Sequence, residues 1–317
     1  MAFPGRQEVV MIKRGFLLLV PALCLILMTA PALAGGKITL RLYGGLSYLD
    51  AGDVNPGTQA FFDWGKTYFA PPPGGSIEGD YTAIHWGYEF GGDIIFELSP
   101  KVGIGIGVGY LQMSRDTRSQ PHGMMLVFDD PLTGFYKNFT VGTKLSAIPI
   151  RASLFLSLPV SKKLDITANG GISYYLQPEY HADWYVSLVN TTWTGPASRL
   201  STTAEKKTAA IGLQGGIGVE YKFTQTMGLF IEAQGRYAKF GGFSGTSNSV
   251  PDEFNGGILP SFSETGKLYY ESVPMIPNSP RWIMVQSAPP AGPGGQPREA
   301  AVDFSGVSLL AGIKIHF

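Results

Sequence analysis

A single cysteine stands among 317 residues, Cys24, and it lies in the apolar stretch near the N-terminus. A scaffold stapled by disulfides is thereby excluded. Charge is scarce too: Asp, Glu, Lys and Arg make up 15% of the chain and cancel to a formal net charge of zero. A nucleic-acid-binding surface needs a basic excess, and the totals hold none. Beyond residue 34 there is no apolar run long enough for a membrane-spanning helix. The acidic stretches "DAGDVNPG" and "PDEFNGG" lack the regular ligand spacing of a calcium loop and read as turns, so neither a metal nor a cofactor is expected.

What is present begins with Lys13-Arg14, the apolar run "FLLLVPALCLILM" and the small-residue site Ala32-Leu33-Ala34. These are the three parts of a secretory signal peptide, with cleavage expected after Ala34. Residues 1–34 would then be removed and 35–317 form one domain; Met11 is an alternative start. Pro21 and the short run argue against a membrane anchor, and Pro21-Ala22-Leu23 before Cys24 does not make a lipoprotein box.

From Lys37 onward eight segments alternate apolar and polar residues, as a strand does when its two faces meet different surroundings. "IHWGYEFGGDIIFEL" sets Ile84, Trp86, Tyr88, Phe90, Ile94, Phe96 and Leu98 against His85, Glu89, Asp93 and Glu97. "VGIGIGVGY" opposes Val102, Ile104, Ile106, Val108 and Tyr110 to four glycines. The segments run to roughly 11 to 15 residues, the length of a tilted bilayer crossing. Short turns, "SPK", "PVSKK" and "TQT", alternate with long links at 50–83, 116–143, 178–207 and 241–302. That layout predicts an all-β fold, an eight-stranded antiparallel up-and-down transmembrane barrel with long extracellular loops. A secreted soluble barrel would alternate as well but turn its apolar face inward. The aromatics decide against it: Tyr48, Trp86, Tyr88, Tyr110, Tyr174 and Tyr237 fall toward the long links, and Phe96, Tyr221, Phe223 and Phe317 toward the short turns, with aliphatics between.

The ending "LAGIKIHF" matches in part the C-terminal signal read by the outer-membrane assembly machinery, through Gly312, Ile315 and Phe317; Leu310 replaces the usual polar residue. With the signal peptide and the eight segments, the chain resembles the small OmpA/OmpX-type outer-membrane barrels and, more distantly, OmpW. The resemblance implies insertion in a bacterial outer membrane, a lumen often too narrow for solutes, and contact with lipid, lipopolysaccharide and the assembly machinery. A monomer is expected, with the loops open to an extracellular partner.

The polar faces carry Arg41, Glu89, Asp93, Glu97, Arg151, Asp165, Glu220, Lys222, Glu232, Arg236 and Lys314, nearly balanced in sign. A confined interior favours ion pairs among them, whereas an ion path would call for a ring of one sign. Arg41 is expected to pair with Glu97, and Glu232 with Arg151 or Arg236. Eight strands enclose a space that side chains fill, so the lumen is expected to be narrow or sealed and the role structural or surface-interacting. Inward Tyr43, Leu49, Leu111 and Met113 leave open an OmpW-like route for small or hydrophobic molecules. A lipid A-modifying enzyme is the third reading; it needs a His with a Ser and an acid, and His85, His122, His181 and His316 are the candidates. Catalytic residues are not assigned. The apolar clusters "FFDWGKTYFAPPP", "MMLVFDD", "ADWYVSLVNTTW" and "RWIMV" are expected to pack the loops into a cap or to form a binding surface.

Overall fold

A computed structural model describes residues 37–68, 75–115, 124–130, 135–190, 193–251, 261–272, 281–289 and 298–317. Ala32, Ala34 and His122 lie outside them. Eight strands close a ring: β1 (Ile38–Leu49), β2 (Trp86–Ser99), β3 (Val102–Arg115), β4 (Phe135–Pro159), β5 (Leu164–Asn190), β6 (Ile211–Lys222), β7 (Met227–Tyr237) and β8 (Gly306–His316). Each pairs antiparallel with its neighbours in this order, and β8 returns to β1 from Thr39↔His316 to Leu49↔Gly306. A closed ring has no unpaired edge, so its backbone groups are satisfied where no water reaches them.

The alternation sets which way each strand faces. Leu46, Ile106, Ile172, Ile217, Ile231 and Leu309 point outward and are all more than half exposed, whereas Arg41, Glu89, Asp93, Arg151 and Glu232 point inward and are buried. A soluble barrel would show the reverse; this outer face is stable against lipid. At the long-loop end Tyr88, Phe90 and Tyr110 group their rings at centroid distances of 5.4 to 6.3 Å. Each short turn is tied by a hydroxyl that accepts two backbone N–H bonds. Ser99 does so for Lys101 and Val102, Ser161 for Lys163 and Leu164, and Thr224 for Thr226 and Met227.

Two strands overrun the expected length, since β4 has 25 residues and β5 has 27. Their outer parts carry the sheet well past the ring. Met124–Asp130 and Ser76–Tyr81 add to the β4 side; Trp193–Glu205, Ser244–Pro251, Phe262–Ser272 and Arg281–Gln286 add to the β5 side. Much of what the sequence presents as loop is therefore sheet. Among the described residues one helix, α1 (Val54–Tyr68), packs against strands near both ends of this curved sheet. It opens where "DAGDVNPG" was read as a turn. Ala51 and Gly52 take left-handed backbone conformations, and the Asp53 carbonyl then accepts the Gly57 N–H at 2.9 Å. The Asn55 side chain bonds Ile84 in both directions, donating to its carbonyl at 2.9 Å and accepting its N–H at 2.8 Å, which fixes α1 to the start of β2.

Candidate functional site

Three layers fill the lumen along its axis. The middle layer is made of three arginines and three carboxylates. Register sets its geometry: Arg41 lies opposite Asp93, Asp93 opposite Gly107, and Gly107 opposite Arg151. Because Gly107 has no side chain, Asp93 and Arg151 meet across the strand between them. Arg41 Nη1 approaches Asp93 Oδ2 at 3.1 Å, and Arg151 Nη2 approaches Asp93 Oδ1 at 3.2 Å. Arg151 also reaches Glu89 at 3.3 Å; Arg236 pairs with the other oxygen of Glu89 and with Ser308. Glu232 is held by Arg41 at 2.9 Å and by the Asn169 amide at 2.7 Å. All six charged groups are at least nine-tenths buried. Three positive and three negative charges leave the layer neutral. Without a partner, any one of them would cost several kcal/mol, of order 3–5, in so dry a place.

Apolar rings close this layer toward the short turns. The Arg41 guanidinium stands 4.3 Å from the centroid of Phe230, which clusters with Tyr43 and Leu310. Ile95 and Phe155 also face inward below it. Tyr43 was expected to face inward; Ile95, Phe155, Phe230 and Leu310 were not, although a signal was there. Each is the second of an unbroken apolar pair or triplet, Ile94-Ile95-Phe96, Leu154-Phe155-Leu156, Leu229-Phe230-Ile231 and Leu309-Leu310, where strict alternation demands a polar residue. Leu310 also explains the departure in the C-terminal pattern, because a polar side chain there would sit unpaired beside Phe230.

Toward the long-loop end the lumen turns apolar. Leu49, Leu111, Met113, Leu145, Tyr175, Ala210 and Ala238 form one buried cluster with cap residues Phe240, Phe243, Leu268, Ile283, Val285 and Phe304. The described parts of the loops thus pack onto the barrel mouth. Side chains of "MMLVFDD" lie outside the described set. Asp53 fastens two of the connections together, since Arg298 contacts both its oxygens at 2.5 Å and the Ala301 N–H donates to it at 2.7 Å.

At the short-turn end a cavity of about 540 Å³ opens, lined among others by Lys37, Thr39, Glu97, Lys101, Ser157, Asp165, Glu220, Lys222, Lys314 and His316. Glu220 accepts from Lys314 at 2.6 Å and contacts His316 Nε2 at 3.0 Å. Glu97 bonds Thr39 at 2.7 Å.

The structure thus brings together Arg41, Glu89, Asp93, Arg151, Glu232 and Arg236 in one layer, and places Glu97, Glu220 and Lys314 in another. Two expected pairs are corrected. Arg41 meets Asp93 and Glu232 rather than Glu97, because the β1–β2 register sets Glu97 four residues nearer the turns, roughly 13 Å along the strand. Glu232 meets Arg41 rather than Arg151 or Arg236. Arg236 is four residues away on the same strand, and Glu89 and Asp93 hold Arg151. In the tail, Gly312 faces the Phe230 ring, while Ile315 and Phe317 point outward.

His85 bonds the Leu49 carbonyl at 2.8 Å and stacks on Tyr48; Glu89 is engaged elsewhere. His181 joins Thr203 at 2.9 Å and Asp183 at 3.3 Å on the outer face of the β5 extension, with Arg199 at 2.9 Å from Asp183. Burial raises the Asp183 carboxyl, but the hydrogen bonds from His181 and Arg199 outweigh it and hold the group well below the usual carboxylate range.

A closed antiparallel ring of eight strands, apolar outside and charged within, defines a transmembrane β-barrel. The pattern of the family described as outer membrane protein beta-barrel domain matches residues 20–258, most of the chain, and the chain belongs to that family. Among solved structures it is similar to the outer membrane protein OprG from Pseudomonas aeruginosa, with 10% identity and a TM-score of 0.35 over 89% of this chain and 96% of that one. No curated protein matches it.

Proposed function

We propose that this outer-membrane barrel is a sealed, monomeric, non-enzymatic surface protein whose working part is its extracellular cap. Its signal peptide, 1–34, is removed during export; lipid and lipopolysaccharide surround the belt, and Gly312, Ile315 and Phe317 address the assembly machinery. The observation that carries the reading is the filled lumen: a neutral layer of six buried charges beneath an apolar core that the cap completes. Conduction needs a hydrated path with sites an ion can enter and leave, and a cross-section of paired charges and packed rings offers none at this level. Planar-bilayer recording from the refolded protein tests it. A quiet baseline is expected, and regular single-channel steps would overturn the reading.

One observation favours a second reading, lateral passage of small apolar molecules. The β3–β4 ladder is interrupted between Val108↔Ile150 and Leu111↔Ala147, beside Pro149, which has no N–H to donate. The β4–β5 register also shifts there, between Ser146 and Ile148, opposite Gln177 in a left-handed conformation. Behind this gap lie Leu111, Leu145 and Ala147 of the apolar cluster. An apolar ligand retained on purification, and lost when Leu111 is changed to Phe, would favour this route.

A further inference from the structure

The cavity at the short-turn end does not depend on the reading of the cap. Its three acids all have protein partners, yet one atom does not: Asp165 Oδ1 is buried and without a hydrogen-bond donor. The other oxygen of Asp165 accepts from Ser157 at 2.8 Å and from Lys222 at 2.6 Å. At the same mouth Lys37 and Lys101 are exposed and have no carboxylate partner among the described residues. The cavity therefore presents a buried hydrogen-bond acceptor inside and two uncommitted ammonium groups at the rim. Backbone bonds place both lysines on the cavity wall, since the Glu97 N–H donates to the Lys37 carbonyl and the N–H of Ser157, the residue bonded to Asp165, donates to the Lys101 carbonyl, each at 2.9 Å.

We infer that this cavity binds a small zwitterion that carries a primary ammonium and a phosphate. The ammonium donates to Asp165 Oδ1, and the phosphate lies against Lys37 and Lys101. An ammonium supplies what the orphan oxygen lacks, a charge-assisted N–H bond, and the rim lysines act on phosphate as point charges. A simple anion would leave Asp165 unsatisfied and would face it at close range. A simple cation would meet the lysines first. The ligand's chemistry has two sources, a soluble phosphoethanolamine ester or the headgroup of phosphatidylethanolamine in the adjoining leaflet.

The test uses the full barrel refolded into phosphatidylcholine nanodiscs, with amide shifts of Thr39, Ser157 and His316 as the readout. Glycerophosphoethanolamine is expected to shift them, and glycerophosphocholine, which has no N–H to donate, to bind about tenfold more weakly. Glycerol phosphate, without the ammonium, is expected to fall behind by as much. Asp165→Asn should abolish the preference for the primary ammonium, and Lys37→Gln with Lys101→Gln, both exposed, should weaken all three probes without altering the fold. Nanodiscs containing phosphatidylethanolamine separate the sources: the same shifts with no added ligand assign the site to the lipid, and their absence assigns it to the soluble ester. Equal binding of the ethanolamine and choline probes, or no shift with any probe in either disc, overturns the inference.

Discussion

Gly107 shows how much of the lumen rests on single residues. A Cβ there would stand 1.8 Å from Asp93 Oδ1 and 2.8 Å from the Gly92 carbonyl oxygen, so even alanine displaces the carboxylate that joins Arg41 to Arg151. Gly107→Ala is expected to destabilise the barrel by about 1–3 kcal/mol, the usual cost of overpacking. Gly235→Ala is the control, since a Cβ at Gly235 meets nothing within 4 Å and no loss should follow. Urea midpoints read by the gel shift between folded and unfolded barrel would check both, and equal midpoints would remove Gly107 from the argument. Glu89→Gln, which strips the charge between Arg151 and Arg236, is expected to cost more, about 3–5 kcal/mol, because two arginines lose their shared anion. Glu97→Gln, at a site about a quarter exposed, should cost far less. The charged faces were legible in the sequence because polarity alternates with period two. The pairings were not, since register and the tilt of the ring decide them. Arg41 and Asp93 are 52 residues apart, and nothing local marks one for the other.

At the scale of elements, β4 and β5 show why the sequence ended its strands too early. Within the bilayer, β4 turns Ile150, Leu154 and Leu156 outward and Arg151 and Ser153 inward. Past the bulge near Ser146, the same strand turns Lys144 outward and Val141 and Leu145 inward. In β5 the extra residue at 177–178 puts Glu179, His181 and Asp183 outside and Tyr180 and Ala182 inside. Alternation persists, but the faces exchange polarity where the sheet leaves lipid for water. A reading that follows one apolar face sees the pattern stop there. The described cap is then a water-side barrel wall with its own apolar interior, and α1 was illegible because its packing surfaces come from residues distant in sequence.

The β5 extension also carries a pH-dependent contact. Asp183 is held below its ordinary range, so in the folded state it stays ionised when the unfolded chain would already be protonated. Its contribution is therefore fully present above the unfolded value, near 4, and is lost as pH falls through the depressed native value. Asp183→Asn should weaken amide-exchange protection around Tyr180–Trp184 at pH 6 by about 1 kcal/mol, with less difference from the parent as pH drops below about 4. A difference that is constant with pH would mean the carboxylate acts by shape rather than charge.

For the molecule as a whole, the layers close the lumen in series, and that order makes a prediction that neither layer makes alone. Removing Glu89 and Arg151 together, as Glu89→Ala with Arg151→Ala, takes one charge of each sign and keeps the middle layer neutral. A wider gap then opens between Asp93 and Arg236, which loses its carboxylate partner, while Arg41 still holds Asp93 and Glu232. Above it the rings of Tyr175, Phe240 and Phe304 still meet, with centroids 5.2 to 6.3 Å apart, and dry packing of that kind blocks an ion as well as a charge pair does. Alanine at these three positions alone leaves the charged layer intact and is equally expected to stay silent. Conductance should appear only when both sets of substitutions are combined with alanine at Phe155 and Phe230, which close the lumen on the short-turn side of the charges, provided that the combined variant still folds by the gel-shift criterion. Steady single-channel steps from the Glu89/Arg151 variant by itself would show that the apolar layers on either side do not close the lumen, and the cap would then be the roof of a gated pore rather than part of a solid core.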